Sequence, residues 1–471
     1  MKKFNKDSYL KKLKLKRNWQ RFSKYFCVGI PCVLCLVLGI YFAYSKFFVS
    51  KEQSVVRTTV GDFIYGDVVI NAYIDGEYSS TIPGKNDGYV VDKVSCDNGA
   101  VGKWNNDKWG LLTTNLSKRT KCNVYFKKVV SKVSDIIAQL DTTGKCPTMN
   151  ADGSVNVTGL EATNGYLCKA KDAYGDSYYY RGNVTNNYVK FADKYWRIVR
   201  INGDGTVRVI YDGTSAHANG ESSRDRQIGT SVFNSSYNDN AYVGYMYGKI
   251  GASPYAAAHA NTNDSTIKAY IDNWYKTNIV GTTNEQYLAD NVFCNDRSIS
   301  SNKPTSNYNN LGYGTNVTAY RWYYGPWESG GYNSSMRLMC PQKNDAFTVS
   351  DITNGNGALT YPVGLLSADE IVLAGGWNAA NSGYYLYSGQ YWWASSPFDF
   401  NGNYARVRSI GSSGYANYSD YVNNNNGVRP VFNLKAEVLK YGDGTASNPY
   451  RLTESLDNSS SSESGGIDTG D

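Results

Sequence analysis

The stretch from Tyr391 to Leu434, YWWASSPFDFNGNYARVRSIGSSGYANYSDYVNNNNGVRPVFNL, constrains the fold more than any other. It reads as three strands joined by wide polar loops. Tyr391, Trp392, Trp393 and Ala394 are bulky and apolar, the pattern of a buried strand. From Tyr404 to Ile410 the chain alternates, with Ala405 and Val407 on one face and Tyr404, Arg406 and Arg408 on the other. Gly427 to Leu434 alternates again, with Val428, Pro430, Phe432 and Leu434 on one side. Pro430 has no backbone donor, so this third strand is expected at a sheet edge or bulged. Between the strands the residues turn to Asn, Tyr, Ser, Asp and Gly. The expectation is a rigid β platform that displays an aromatic and amide surface.

With 471 residues the chain has room for two or three domains and a sizeable core. Its 42 tyrosines against 2 histidines resemble a binding surface more than a metal or acid–base site. The net charge of +7 is unevenly spread: residues 1–24 hold ten Lys or Arg and one Asp, which leaves the remainder slightly acidic. Nucleic-acid binding by a basic domain is thereby excluded.

Taken in order, residues 1–24 read as a basic cytoplasmic tail. Tyr25 to Tyr44 is an uncharged run of 20 residues, about 30 Å as a helix and enough to span a bilayer. A transmembrane helix at 25–45 with the N-terminus inside and the bulk outside is expected from the basic flank. A cleaved signal peptide is the rival reading, but the run is long for one and the small-residue pattern near Ala43 and Ser45 is poor. Residues 46–60 read as a stalk. Residues 61–128 read as an Ig-like β domain, with Val68 to Ile74 closing in an Asp75-Gly76 turn. Residues 129–177 hold a linker helix (Val129, Val133, Ile136, Ile137, Leu140) and a loop. The large domain, 178–452, follows, and 453–471 is polar enough to expect disorder.

Cys27, Cys32 and Cys35 fall in the apolar run. The other six, Cys96, Cys122, Cys146, Cys168, Cys294 and Cys340, allow fifteen pairings, the simplest being between sequence neighbours. Zinc is the alternative, but no C-x-x-C pair or nearby His favours it. In the large domain, Tyr188 to Phe191, Tyr195 to Ile201 and Thr206 to Tyr211 read as strands, with a turn at Asn202-Gly203-Asp204-Gly205. Asp264 or Ser265 caps a helix striped by Ile267, Tyr270, Ile271 and Trp274. Thr283 to Gln286 and Ser367 to Glu370 both fit capping boxes.

Catalytic constellations are thin. There is no H-E-x-x-H, G-x-S-x-G or P-loop. His217 and His259 are far apart, the Asp369 and Glu370 pair is accounted for by helix capping, and Asp399 reads as a loop Asp. Trp104-Asn105-Asn106-Asp107 and Asn150-Ala151-Asp152-Gly153 look like fragments of calcium signatures and read as turns. No cofactor and no metal is expected. Arg406, Arg408 and Arg429 either hold an acidic ligand group or stack on neighbouring rings.

Trp392-Trp393-Ala394-Ser395-Ser396-Pro397, then Ala405-Arg406-Val407, then Gly427-Val428-Arg429-Pro430 resembles the closing segment of a C-type-lectin-like domain. The bacterial versions it is similar to are formylglycine-generating-enzyme-like domains and retroelement-diversified binding proteins. It also looks like surface proteins of Gram-positive bacteria and their wall-less relatives, which end in a motif like Gly442-Asp443-Gly444-Thr445…Asn448-Pro449-Tyr450. The Glu-Pro-Asn or Gln-Pro-Asp calcium triplet is absent, and Cys294 with Cys340 reads as a disulfide rather than the enzyme's cysteine pair. The resemblance covers about residues 178–452 and implies a C-type-lectin-like domain there; with the readings above, the expectation is an α+β chain with a single N-terminal transmembrane helix, a small Ig-like β domain and a C-terminal C-type-lectin-like domain. It implies a membrane-anchored extracellular binding or adhesion protein whose partner is a cell-surface protein or glycan. A cell-envelope hydrolase and a self-assembling surface protein are the alternatives. The expected ligand-binding residues are Asn401, Asn403, Tyr404, Arg406, Tyr415, Asn417, Tyr418, Asp420, Tyr421 and Asn423.

Overall fold

A computed structural model describes residues 14–15, 68–84, 88–105, 109–115, 120–128, 130–157, 164–326 and 335–455. Strand makes up 33% of these residues and helix 13%, so the expected α+β class is corrected to a mostly β one. Among the described residues no helix is long and apolar enough to cross a membrane. The expected span at 25–45, the stalk and all but two residues of the basic tail lie outside the described residues, as does most of the C-terminal tail. The single-pass anchor and the cell-membrane location drawn from it are accordingly withdrawn. The chain divides after Lys128 into two compact units.

The first unit is built on a four-stranded sheet ordered Glu77–Ser79, Val69–Ile74, Lys121–Lys128, Tyr89–Cys96. Val69–Ile74 runs parallel to Lys121–Lys128, and Tyr89–Cys96 runs antiparallel to it. A separate hairpin pairs Val101–Asn105 with Gly110–Thr114. An Ig sandwich is two antiparallel sheets, so this mixed sheet corrects the Ig-like expectation. Ala72, Val124 and Phe126 form the buried centre of the sheet, with Leu111 of the hairpin beside them. Cys96 and Cys122 sit directly opposite in register and are joined by a disulfide.

The second unit holds two six-stranded sheets. The first is ordered Val431–Leu434, Val207–Gly213, Lys194–Ile201, Gly175–Arg181, Tyr166–Asp172, with Tyr188–Phe191 also on Lys194–Ile201. The turn at 202–205 closes with Asn202 N donating to Thr206 O at 2.8 Å. A bulge between Ile198 and Arg200 interrupts the register, and Trp196, Ile198, Val199 and Ile201 are all buried, as in a sheet covered on both faces. The second sheet is ordered Thr230–Ser231, Asn426–Gly427, Trp392–Phe400, Ala405–Ile410, Tyr418–Tyr421, with Thr318–Ala319 against Trp392–Phe400. The Tyr391 to Leu434 stretch therefore does not form one platform. Its last strand, just past Pro430, leaves for the edge of the first sheet. Phe432 stacks there on Trp196 at 4.6 Å, while Trp393 in the second sheet meets Phe233 edge-on at 5.6 Å. One core cluster contains all four rings.

Helices fill in around the sheets. Ser265 caps Thr266–Asn278, which buries Ile267, Ile271 and Tyr275. The expected box at Thr283 shrinks to a single 3-10 turn, Glu285–Tyr287, without a side-chain cap. At Ser367 the box is complete: its hydroxyl accepts from Glu370 N at 3.2 Å, and Glu370 Oε2 accepts from Ser367 N at 2.9 Å. Ser367→Ala is expected to lower the stability of this unit by about 1 kcal/mol, read as a shift of the urea midpoint at unchanged slope.

Two further disulfides, Cys146–Cys168 and Cys294–Cys340, join sequence neighbours. In the first loop the Asp141 carboxylate accepts from Thr143 N at 2.9 Å, Thr143 Oγ1 at 2.5 Å, Lys145 N at 2.7 Å and Cys146 N at 2.9 Å. The Thr143 hydroxyl first, then its backbone N–H, lower the Asp141 pKa from the ordinary 3.8 to about 2. Because the folded value is depressed, the loop's contribution is complete above pH 3.8 and is lost as pH falls through about 2. An NMR titration of the Asp141 carboxyl carbon checks this; a midpoint near 4 would show that the four donors do not hold the anion.

Candidate binding face

The second sheet exposes a rim of tyrosines. Ala405–Ile410 lies between Trp392–Phe400 and the edge strand Tyr418–Tyr421. Alternation sends Ala405 and Val407 into the core and leaves Tyr404 and Arg406 half-buried on the opposite face. The register places Tyr421 across from Arg406 and Tyr418 across from Ser409. Tyr404 packs between two rings: Tyr237 at 4.9 Å and 17° between planes, and Tyr421 at 4.5 Å and 42°. Beside this row Tyr391 meets Tyr418 at 5.3 Å and 65°. The outer rings keep much of their surface in solvent, 37% for Tyr237, 39% for Tyr418 and Tyr421, and 42% for Tyr391.

Arg406 is clamped rather than free. Its Nε and Nη2 donate to the two oxygens of Asp399, both at 2.7 Å, and its guanidinium lies 4.8 Å above Phe398. Tyr308 hydroxyl donates to the same carboxylate at 2.7 Å. Burial pushes the Asp399 carboxyl above its usual range, and the bonds from Arg406 pull against that. Arg406 therefore presents a guanidinium whose charge is already answered from below, a rigid polar neighbour to Tyr421.

Several other expected contact residues hold the scaffold instead. Asn401 Oδ1 accepts from Asn403 N at 3.0 Å and Tyr404 N at 2.9 Å, which fixes the turn that aims Tyr404. Gly402 within that turn has φ +97°, a conformation that L residues avoid. Asn417 Oδ1 accepts from the buried Arg408 at 2.6 Å, and its amide reaches the Tyr415 hydroxyl at 3.4 Å. Asp420 accepts from Tyr421 N at 2.9 Å, from Asn426 Nδ2 at 3.0 Å and from Asn424 Nδ2, tying down the 421–426 loop. Asn423 is half-buried, with its side-chain oxygen unpartnered. Of the ten expected residues, Asn403, Tyr404, Arg406, Tyr418 and Tyr421 are displayed.

Tyr391, expected as the start of a buried strand, is among the most exposed rings, because the strand proper begins one residue later. Tyr237 comes from a distant loop, anchored where Ala405 N donates to its carbonyl at 2.7 Å. Its setting, Ser235-Ser236-Tyr237-Asn238-Asp239-Asn240, has the same composition as the displayed loops, which is the signal that marks it.

The other carboxylates and histidines singled out in the sequence, Asp369, Glu370, His217 and His259, are engaged. Asp369 accepts from Trp322 Nε1 at 2.7 Å and Arg337 N at 2.8 Å, and Glu370 pairs with Arg200 and Arg208. His217 lies between Glu221 at 2.6 Å and Asp225 at 2.9 Å. Burial first, then Arg297, lower the His259 pKa to about 3. Among the described residues no group of three or more His, Cys, Asp or Glu is arranged to hold a metal ion. Arg429 is buried and bonded to Asp212, Tyr211 O and Leu386 O, so it holds strands together rather than a ligand.

Residues 334–436 match the family described as Domain of unknown function (DUF6273). The match covers less than a quarter of the chain and takes in the Ser367 cap, Arg429 and most of the tyrosine face. Comparison with curated proteins and with solved structures returned no match.

Proposed function

We propose that this chain is an extracellular binding protein that recognises a protein partner through the tyrosine face of its second unit. The observation that carries the reading is the row Tyr237, Tyr404, Tyr421, flanked by Tyr391 and Tyr418, standing on a buried and internally bonded β scaffold. Such a surface offers large rigid contact area and hydroxyls at low entropic cost. The Tyr404 ring is half-buried, with Tyr237 stacked on it and Tyr421 tilted against it, so its hydroxyl is the part best placed to meet a partner. That geometry suits hydrogen bonding to a protein surface better than stacking under a sugar ring. Three disulfides support an oxidising compartment.

The test is to probe the full chain against purified surface proteins and, separately, against a glycan array. Binding to one or more proteins that disappears when the displayed tyrosines are replaced supports the proposal. Binding to glycans alone through the same tyrosines, or concentration-dependent self-assembly without ligand, would overturn it.

A further inference from the structure

The second unit also carries a polar recess made by other elements. It has a volume of about 280 Å³ and lies between residues 139–141 and the turn at 183–186. One wall is pinned to the Tyr166–Asp172 strand by the Leu140–Leu167 bridge, by Asp141 N donating to Leu167 O at 2.9 Å, and by Cys146–Cys168. The other wall is held at Val184 O, which accepts from Arg197 Nη2 at 2.6 Å and Asn219 Nδ2 at 2.8 Å. Gly165 sits between them; a Cβ there would come within 2.6 Å of Asn183 O, so only glycine lets the walls approach. The recess is thus preformed, and smaller than the roughly 300–1,000 Å³ of sites for drug-sized ligands. It suits one ring.

Its lining is neutral. Gln139, Asn183 and Asn186 contribute amides, Thr185 a hydroxyl and Tyr166 a half-exposed ring. Asn186 donates to Gln139 Oε1 at 2.9 Å, and Asn183 Oδ1 accepts from Asn219 at 2.6 Å. Those bonds leave the Asn183 amide N–H groups, the Asn186 carbonyl and the Thr185 hydroxyl open to a ligand. Tyr180 also lines the recess, almost wholly buried, and its hydroxyl has no hydrogen-bond partner, an uncommon and costly state. No Lys or Arg is among the lining residues, and the one carboxylate, Asp141, is saturated by donors of its own loop. Charged ligands therefore gain nothing here, whereas hydroxyls that both donate and accept match amides that do the same.

We propose that this recess binds one residue of an uncharged saccharide, held by Asn183, Thr185 and Asn186 with Tyr166 as an apolar wall. Saturation-transfer NMR on the full chain with glucose, galactose, mannose and N-acetylglucosamine tests it, with glucuronate and glucosamine as charged controls. At least one neutral sugar is expected to bind. Thr185→Trp, which fills the recess from an exposed position, is expected to abolish the signal. Asn183→Leu, also exposed, is expected to weaken binding by about tenfold, the cost of one lost hydrogen bond. Replacing Tyr404, Tyr418 and Tyr421 is expected to leave it unchanged, which separates this site from the tyrosine face. No transfer to any neutral sugar, equal signals from the wild type and Thr185→Trp, or stronger binding of a charged control would each overturn the proposal.

Discussion

Asp212→Asn is expected to destabilise the second unit by about 3–5 kcal/mol, a fall in melting temperature on the order of 10 °C. Asp212 is the anion at the centre of three buried guanidiniums. Its Oδ1 accepts from Arg226 Nε at 2.8 Å and from Arg429 Nη2 at 2.9 Å, and Arg197 Nη1 lies 3.9 Å from Oδ2. All four side chains are fully out of solvent. Burial lowers the Arg429 pKa to about 9, still above neutrality, so it carries its charge at pH 7. Asparagine keeps the shape and the Oδ1 acceptor, removes the negative charge, and turns the buried Oδ2 into an N–H donor beside Arg197. What remains is three like charges in a medium of low permittivity, answered by neutral carbonyl oxygens: Val184 O, Glu221 O, Tyr385 O, Tyr211 O and Leu386 O of the backbone and the Oδ1 atoms of Asn187 and Asn219. Breaking one side of a buried ion pair is costly because the other side stays buried. Thermal or urea denaturation at pH 7 reads the loss. A change below about 1 kcal/mol would mean that the carbonyls suffice, and that Asp212 contributes no more than a neutral acceptor.

This cluster also shows what was legible in the sequence. Gly427-Val428-Arg429-Pro430 stood out as a motif, but nothing in the chain before it says that Arg429 meets an aspartate 217 residues away. Local signals transferred well. The hairpin through Asn202-Gly203-Asp204-Gly205, the caps at Ser265 and Ser367, and the three neighbour disulfides rest on contacts close in sequence or on turns with their own chemistry. Partner choice did not transfer. Alternation in Val69–Ile74 is equally compatible with an antiparallel or a parallel neighbour, so the pattern alone does not tell the mixed sheet of the first unit from a sandwich. Nor does alternation after Pro430 say which sheet receives Val431–Leu434. At the candidate face, composition points to the exposed rings Tyr418 and Tyr421 and the half-buried Tyr404. It could not separate them from Asn401, Asn417 and Asp420, whose polar groups turn inward to bond the loops that carry those rings.

Replacing Tyr404, Tyr418 and Tyr421 together by Ala is expected to weaken partner binding at least about a hundredfold, or about 3 kcal/mol. Interface energy concentrates in a few aromatic anchors, each worth roughly 2 kcal/mol or more when truncated. The fold also loses three ring pairs, Tyr237–Tyr404, Tyr404–Tyr421 and Tyr391–Tyr418. Tyr418 and Tyr421 are well exposed, and what is lost is ring packing on Tyr237 and Tyr391, at about 0.5–1.5 kcal/mol per aromatic pair. A denaturation curve run beside the titration separates the loss of stability from the loss of binding. The matching Tyr→Phe triple variant keeps every ring and removes three hydroxyls. Because the Tyr404 ring is packed by Tyr237 and Tyr421, its hydroxyl is what it offers, and the Phe variant is expected to bind about tenfold more weakly with an unchanged melting temperature. If the Phe variant binds like the wild type while the Ala variant does not, the rings act as an apolar platform and the hydrogen-bonding role assigned to this face is wrong. If both bind like the wild type, the partner meets the chain elsewhere.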